Sequence, residues 1–236
     1  MENFIKSIKG LSGEKILDVA TGQGEFIALL KAQLPSYHSI IGIDESERII
    51  EHAKTHFDDT RIEFQMMDAY KMSFPNDSFD LVTISNSLHH FAQPLQILAE
   101  MKRVVKPGGK IIIHEMITDD LTPAQLSHQE IHHWSAKIDM LNNRYHAETY
   151  TKEALVKLVT KQLDNIQVMD YNYPVEDNKD EELITKMKSY FEMILKRAEG
   201  FTEFGELKKE ADQIKQHIDE HGYEPATFIY MIAEKK

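Results

Sequence analysis

The chain has no cysteine. Disulfides, iron–sulfur ligation, zinc–thiolate sites and a cysteine nucleophile are therefore excluded, and so is any intermediate bound through a thiolate. Positive charge is also scarce, with 27 lysines and arginines against 39 aspartates and glutamates and a formal charge of -12. A phosphate backbone meets repulsion over most of such a surface, so nucleic acid is not an expected partner. Long hydrophobic runs are missing too, since no stretch approaches the ~18 apolar residues that suggest a membrane span. The opening MENFIKSIKGLSGEKILDVA has no long apolar segment of the kind that directs secretion. A soluble, cytoplasmic protein without a membrane partner is expected. Internal repeats, low-complexity tracts and flexible linkers are absent as well. The 236 residues, 42% hydrophobic, read as one domain over 1–236.

What is present is an alternation. From Lys15 to about Lys110 the apolar runs KILDVA, HSIIGID, RIEFQMM, FDLVTIS and GKIIIHE are separated by EFIALLKAQL, SERIIEHAKTHF and PLQILAEMKRVV. The first set has the character of buried strands and the second places apolar residues three and four apart, so βαβ units and a parallel sheet are expected. After Glu115 the alternation stops. LTPAQLSHQEIHHWSAKIDML reads as a helix beginning near Pro123, within a cap segment over 117–150. Thr151 is the expected N-cap of TKEALVKLVTKQL, and NIQVMDYNY reads as the next strand. Two charged amphipathic helices, DEELITKMKSYFEMILKRA and GELKKEADQIKQHIDE, form an insertion over 176–222 before a last strand, ATFIYMIAEK.

The stretch Ile16 to Phe26, ILDVATGQGEF, is a strand that runs into a glycine-spaced turn. Such a turn lets backbone approach a ligand closely. A dinucleotide fingerprint needs a third glycine where this chain has Ile27, and a P-loop needs a closing Gly-Lys-Ser/Thr that is not there. Asp18 lies in the first strand, Asp44 ends the second and Asp68 follows the third. Asp44 is placed to accept from ribose hydroxyls, and a carboxylate at Asp68 can accept from the exocyclic amine of adenine.

The ordered set LDVATGQGE, GID, MMDAYKMSFPNDSFDLV, ISNSLHHF and EMKRVVKPGGKIII resembles the class I S-adenosylmethionine-dependent methyltransferases, in particular the subgroup related to the ubiquinone/menaquinone C-methyltransferases. The resemblance covers roughly Lys15 to Glu115. It implies an α/β, doubly wound, Rossmann-like sheet of seven strands with the last antiparallel, and S-adenosyl-L-methionine as cofactor. Carried onto this sequence, the cofactor-binding residues are Asp18, Ala20, Gly22, Gly24, Asp44, Glu45, Met67, Asp68, Ala69 and Asn86. Ala20-Thr21 departs from the glycine and small residue that many members carry there. Pro107-Gly108-Gly109 is read as a turn without a catalytic role.

In methyl transfer from a sulfonium, positioning dominates, and an in-line arrangement can supply ~7–11 kcal/mol of the barrier. A base can add a further ~10²–10⁴-fold for an acidic acceptor, and histidine suits neutral pH. His89, His90 and His114 are the candidates, since two follow the fourth strand and one ends the fifth. Glu115, His132, His133 and Tyr145 are the expected substrate contacts. His128 and His132 are four apart and share a helix face as metal ligands do, with His114 or His146 to complete a set. The order H-x-E-x-H is not the H-E-x-x-H of zinc peptidases, and a histidine-lined acceptor pocket is the reading adopted, with no metal ligand assigned. The expected function is methylation of a small molecule, with the nucleophilic atom and the oligomeric state open and a homodimer one option. RNA or protein methylation, and cofactor binding without turnover, are the alternatives.

Overall fold

The computed structural model describes residues 15–236; most of the opening segment read above for an apolar leader lies outside the described residues. Seven strands form one sheet: β1 (Lys15–Val19), β2 (Ser39–Asp44), β3 (Ile62–Met66), β4 (Phe79–Ser85), β5 (Val105–Met116), β6 (Gln167–Tyr171) and β7 (Phe228–Glu234). Their order is β3-β2-β1-β4-β5-β7-β6. Strands β1 to β5 pair in parallel, and β7 is antiparallel to both β5 and β6. The expected doubly wound sheet with its last strand reversed is present.

The reason lies in strand composition. Ile16, Leu17, Val19, Leu81, Val82, Ile84 and Ile111 to Ile113 are buried, as central strands covered on both faces require. One face carries Leu17, Val82, Ile111 and Ile113 against α3 (Pro94–Val104) and α5 (Lys152–Val159). The other carries Ile16, Ile40, Leu81 and Ile112 against α1 (Glu25–Gln33) and α2 (Glu47–Lys54). Ser46 caps α2 and Thr151 caps α5, each side chain accepting from a backbone N–H three residues on.

Helix α4 (Pro123–Leu141) opens on a complete capping box between Thr122 and Gln125. It does not stand alone over the sheet edge. Ile131, Trp134 and Ile138 pack with Phe191, Ile194 and Leu195 of α6 (Glu181–Leu195) and with Leu207, Ala211 and Ile214 of α7 (Phe204–His221). The Trp134 indole N–H donates to Leu207 O at 3.0 Å. Cap and insertion, far apart in sequence, thus share one apolar core.

Two local expectations change. Pro107-Gly108-Gly109 lies within β5 rather than in a separate turn, where the register against β4 shifts. Gly108 holds φ 76° and its N–H donates to Lys235 O, which ties this bulge to the end of β7. The pairing of His128 with His132 also fails, for His128 turns its Nδ1 to the Ala226 N–H at 2.9 Å.

Candidate active site

The carboxyl ends of the parallel strands surround a cavity of about 610 Å³, within the ~300–1,000 Å³ usual for small-molecule sites. Its floor is the loop after β1. Ala20 and Gly22 hold φ 52° and 55°, a left-handed backbone that a non-glycine residue adopts only under local constraint. Thr21 N donates to Ile43 O at 2.9 Å, so the loop hangs from β2. At Gly24, φ is 89° and an added Cβ would lie 2.6 Å from the Phe57 ring, so only glycine fits.

Asp44 holds the next wall. Its Oδ2 accepts from Gly22 N at 3.2 Å and its Oδ1 from Ser46 N at 3.0 Å, so one carboxylate joins the glycine loop to the start of α2. Each oxygen retains a second lone pair, and Asp44 lines the cavity. Asp68 Oδ1 accepts from Tyr70 N at 2.8 Å and shapes the turn after β3. The lining contains Asp44, Glu45, Asp68 and Asp139 against a single cationic group, Arg144. A cation is favoured in such a place and a pyrophosphate is not.

Of the residues expected to bind cofactor, Ala20, Gly22, Asp44, Glu45, Met67, Asp68 and Ala69 line this cavity. Asp18 does not. It is 1% exposed beneath the floor, accepting from Thr21 Oγ1 at 2.7 Å and Thr83 Oγ1 at 2.5 Å. Burial raises its carboxyl to about 6 against those two hydrogen bonds. Gly24 faces a second concavity on the far side of the loop, beside Lys31, His56 and Phe57. Asn86 holds φ 46° in the turn after β4, with a buried Oδ1 that has no partner.

The histidines separate. His90 reaches the cavity wall; His89 and His114 do not. His114 is enclosed by aromatic rings, stacked on Tyr230 at 4.3 Å and Phe228 at 4.7 Å, and burial pushes its pKa down to about 3. That enclosure removes it from contact with a ligand in this cavity. His89 is wholly buried, with Nδ1 2.8 Å from Glu115 Oε2. Glu115 is equally buried, and its Oε1 accepts from Ser87 N and Leu88 N at 2.8 and 2.5 Å. Its role in the structure is to hold the turn after β4 rather than to face a ligand.

From the cap, Tyr145 lines the cavity; His132 and His133 do not. His133 Nε2 accepts from Thr149 N at 3.2 Å and binds α4 to the returning chain. His132 lies instead among His89, His90 and His146, with ring centroids 4.9 Å from His89 and 4.8 Å from His146. Sequence reading missed Asp139, Asn143 and Arg144, which close the cavity from above. The available signal was Asn142-Asn143, a helix stop directly before Arg144 and Tyr145.

A parallel sheet with a strand-end cavity lined by carboxylates defines a nucleotide-type small-molecule site. The comparisons with known proteins agree and go further. Residues 17–113 match the family described as "Methyltransferase domain". A demethylmenaquinone methyltransferase from Clavibacter sepedonicus is 40% identical over 114 residues, 48% of this chain and 45% of that protein. A ubiquinone/menaquinone biosynthesis C-methyltransferase from Geotalea daltonii is 38% identical over 118 residues, 48% and 50% of the two chains. The chain spans about half the length of these curated relatives. Among solved structures, a putative methyltransferase from Bacillus halodurans superposes with a TM-score of 0.64 at 20% identity, covering 99% of this chain and 97% of that one. The phosphoethanolamine N-methyltransferase 2 of Haemonchus contortus, solved with S-adenosylhomocysteine, gives 0.59 at 18% identity over 99% and 52%. Residues 17–113 are thus similar to the methyltransferase domain, the part of the chain that the methyltransferase relatives share, and the fold is that of the solved methyltransferases.

Proposed function

We propose that this protein transfers a methyl group from S-adenosyl-L-methionine to a small-molecule acceptor by in-line displacement. The observation that carries the reading is the cavity itself, where Asp44 and Asp68 stand at successive strand ends beside a strained Ala20–Gly22 loop, with four carboxylates and one arginine around it. The residues present fit the cofactor. Asp44 keeps free lone pairs for ribose hydroxyls, Asp68 and the Met67–Ala69 backbone suit the adenine, and the acidic lining favours a cationic sulfonium. The turn at Asn86 is the family's position for the methionine ammonium, and Asp18 acts from below by fixing the loop through Thr21. When bound, the cofactor supplies an electrophilic methyl carbon whose bond to sulfur breaks as the bond to the acceptor forms.

The acceptor side is the lid. His90 from the turn after β4, with Asp139, Asn143, Arg144 and Tyr145 from the cap, closes the cavity opposite the floor. Such a roof excludes water and confines the acceptor to small molecules, in line with quinone-precursor methylation by the relatives that share the cofactor half. Nucleic acid is disfavoured by the net charge of -12. No helix among the described residues is long and apolar enough to cross a membrane. A cytoplasmic location is part of the proposal and fits a chain without cysteine.

The test is incubation of the purified protein and a cell extract with methyl-labelled S-adenosylmethionine. Label is expected in the small-metabolite fraction. Label retained on RNA or protein would overturn the small-molecule reading, and failure to form S-adenosylhomocysteine with any acceptor fraction would overturn turnover.

A further inference from the structure

Four imidazoles meet beneath the lid. His89 and His90 come from the 3-10 turn Leu88–His90, His132 from α4, and His146 from the chain that returns from it. One ring nitrogen from each lies within 4.8 Å of the others. The His90 and His146 rings are 3.9 Å apart between centroids.

Hydrogen bonding fixes where the lone pairs point. Glu115 Oε2 lies 2.8 Å from His89 Nδ1, and Asp139 Oδ2 lies 2.8 Å from His146 Nδ1. An ionised carboxylate only accepts, so both rings carry their proton on Nδ1 and leave Nε2 as a bare acceptor. Both Nε2 atoms are buried without a partner, and so is His132 Nδ1. Two bare acceptors and the unpartnered His132 Nδ1 are thus gathered in one place without a hydrogen-bond partner. A group that accepts several lone pairs at once is what the cluster lacks.

We propose that this cluster is a metal site for one divalent first-row ion, zinc foremost, held by His89 Nε2, His132 Nδ1, His146 Nε2 and a ring nitrogen of His90. The chemistry of the donors fits. Neutral imidazole suits zinc, copper, nickel and iron, and the absence of cysteine leaves an all-nitrogen set. Nitrogens about 2.0–2.1 Å from a tetrahedral zinc are roughly 3.3 Å apart, so the rings close by an ångström or more on loading. Glu115 and Asp139 stand one ring away and supply the carboxylate–histidine–metal arrangement that orients ligands and offsets the ion's charge. Arg197 pairs with the second oxygen of Asp139 and holds it in place.

The ligands differ in exposure. His89 and His146 are buried, whereas His90 is exposed and lines the cavity. His90 is therefore the ligand that an acceptor can replace. Three fixed histidines and one exchangeable position are the pattern of a zinc that binds substrate. On the reading of the cavity as a methyl-transfer site, the ion faces the acceptor side and selects acceptors with an anionic oxygen, such as a phenolate or carboxylate, which it holds and orients. That last step rests on the proposed function; the metal site does not.

The experiment strips the full-length protein with a chelator and titrates it with cobalt(II) as an optical probe, then with zinc as competitor. One equivalent of cobalt with the intense visible bands of a tetrahedral nitrogen site is expected, displaced by zinc. His132→Ala and His146→Ala are expected to weaken binding at least 100-fold, Asp139→Asn by about 10–100-fold, and His221→Ala, on an exposed position, not at all. Thermal melts separate misfolding from ligand loss, since zinc raises the wild-type Tm and leaves a folded His132→Ala variant unchanged. Absence of stoichiometric cobalt binding, or binding that His132→Ala and His146→Ala leave intact, would overturn the site and assign the cluster to water. S-adenosylmethionine is titrated into the same stripped protein. Its failure to bind would refute the methyltransferase reading while the cobalt result stands.

Discussion

Glu115 and His89 pair at 2.8 Å with no exposed surface on either side chain. The same carboxylate also takes the N–H groups of Ser87 and Leu88, so three donors converge on one acid at the end of β5. Truncation leaves all three buried and unpaired. Glu115→Ala is expected to cost about 3–5 kcal/mol of unfolding free energy, measured by urea denaturation. A loss under 1 kcal/mol would show that water replaces the carboxylate without penalty.

Asp18 sets a second expectation, because its carboxyl is raised from 3.8 to about 6 by burial. Between those values the native state binds a proton that the unfolded chain does not, so stability falls as pH rises through this window and the penalty persists above it. The shift corresponds to about 3 kcal/mol at neutral pH. Asp18→Asn keeps the shape and partners for Thr21 and Thr83, and is expected to be more stable than wild type at pH 8, by up to about 3 kcal/mol, with the gain fading below pH 5. Parallel stability curves from pH 5 to 8 would contradict this assignment.

His114 acts in the opposite sense. Its pKa falls from 6.5 to about 3 through burial, so on acidification the unfolded chain takes up a proton that the native state refuses. Stability is therefore lost as pH falls below 6.5, at about 1.4 kcal/mol per pH unit for this one group. His114→Gln is expected to flatten the acid limb of the stability curve between pH 6 and 4 by about that slope, whatever its effect on absolute stability. An unchanged slope would mean that His114 protonates within the native fold.

Much of this architecture was legible locally. Strand runs, the glycine turn and the acids at Asp44 and Asp68 each depend on residues close in sequence, and the sheet needed only their order. The roles of single side chains were less so. Asp18 looked like a ligand contact from its place before the loop, but Thr21 and Thr83 occupy both its oxygens. His114 ends a strand at the ligand edge, but Phe228 and Tyr230 come from β7, more than 110 residues on, and enclose it. The spacing of His128 and His132 suggested a shared site. Helical spacing gives a common face and says nothing of what covers each turn, and here Ala226 takes one while His89 and His146 meet the other. Ala20 stands where the resemblance implies glycine, and at φ 52° it holds a left-handed backbone that glycine adopts without strain.

Calorimetric titration of S-adenosylmethionine into the wild-type protein and into Asp44→Ala tests the central claim most directly. Asp44 joins the glycine loop to α2 and faces the cavity. Saturable binding at one site per chain is expected, weakened at least tenfold by the substitution, which corresponds to about 1.4 kcal/mol or more. No binding to the wild type, or equal affinity in the variant, would contradict the account.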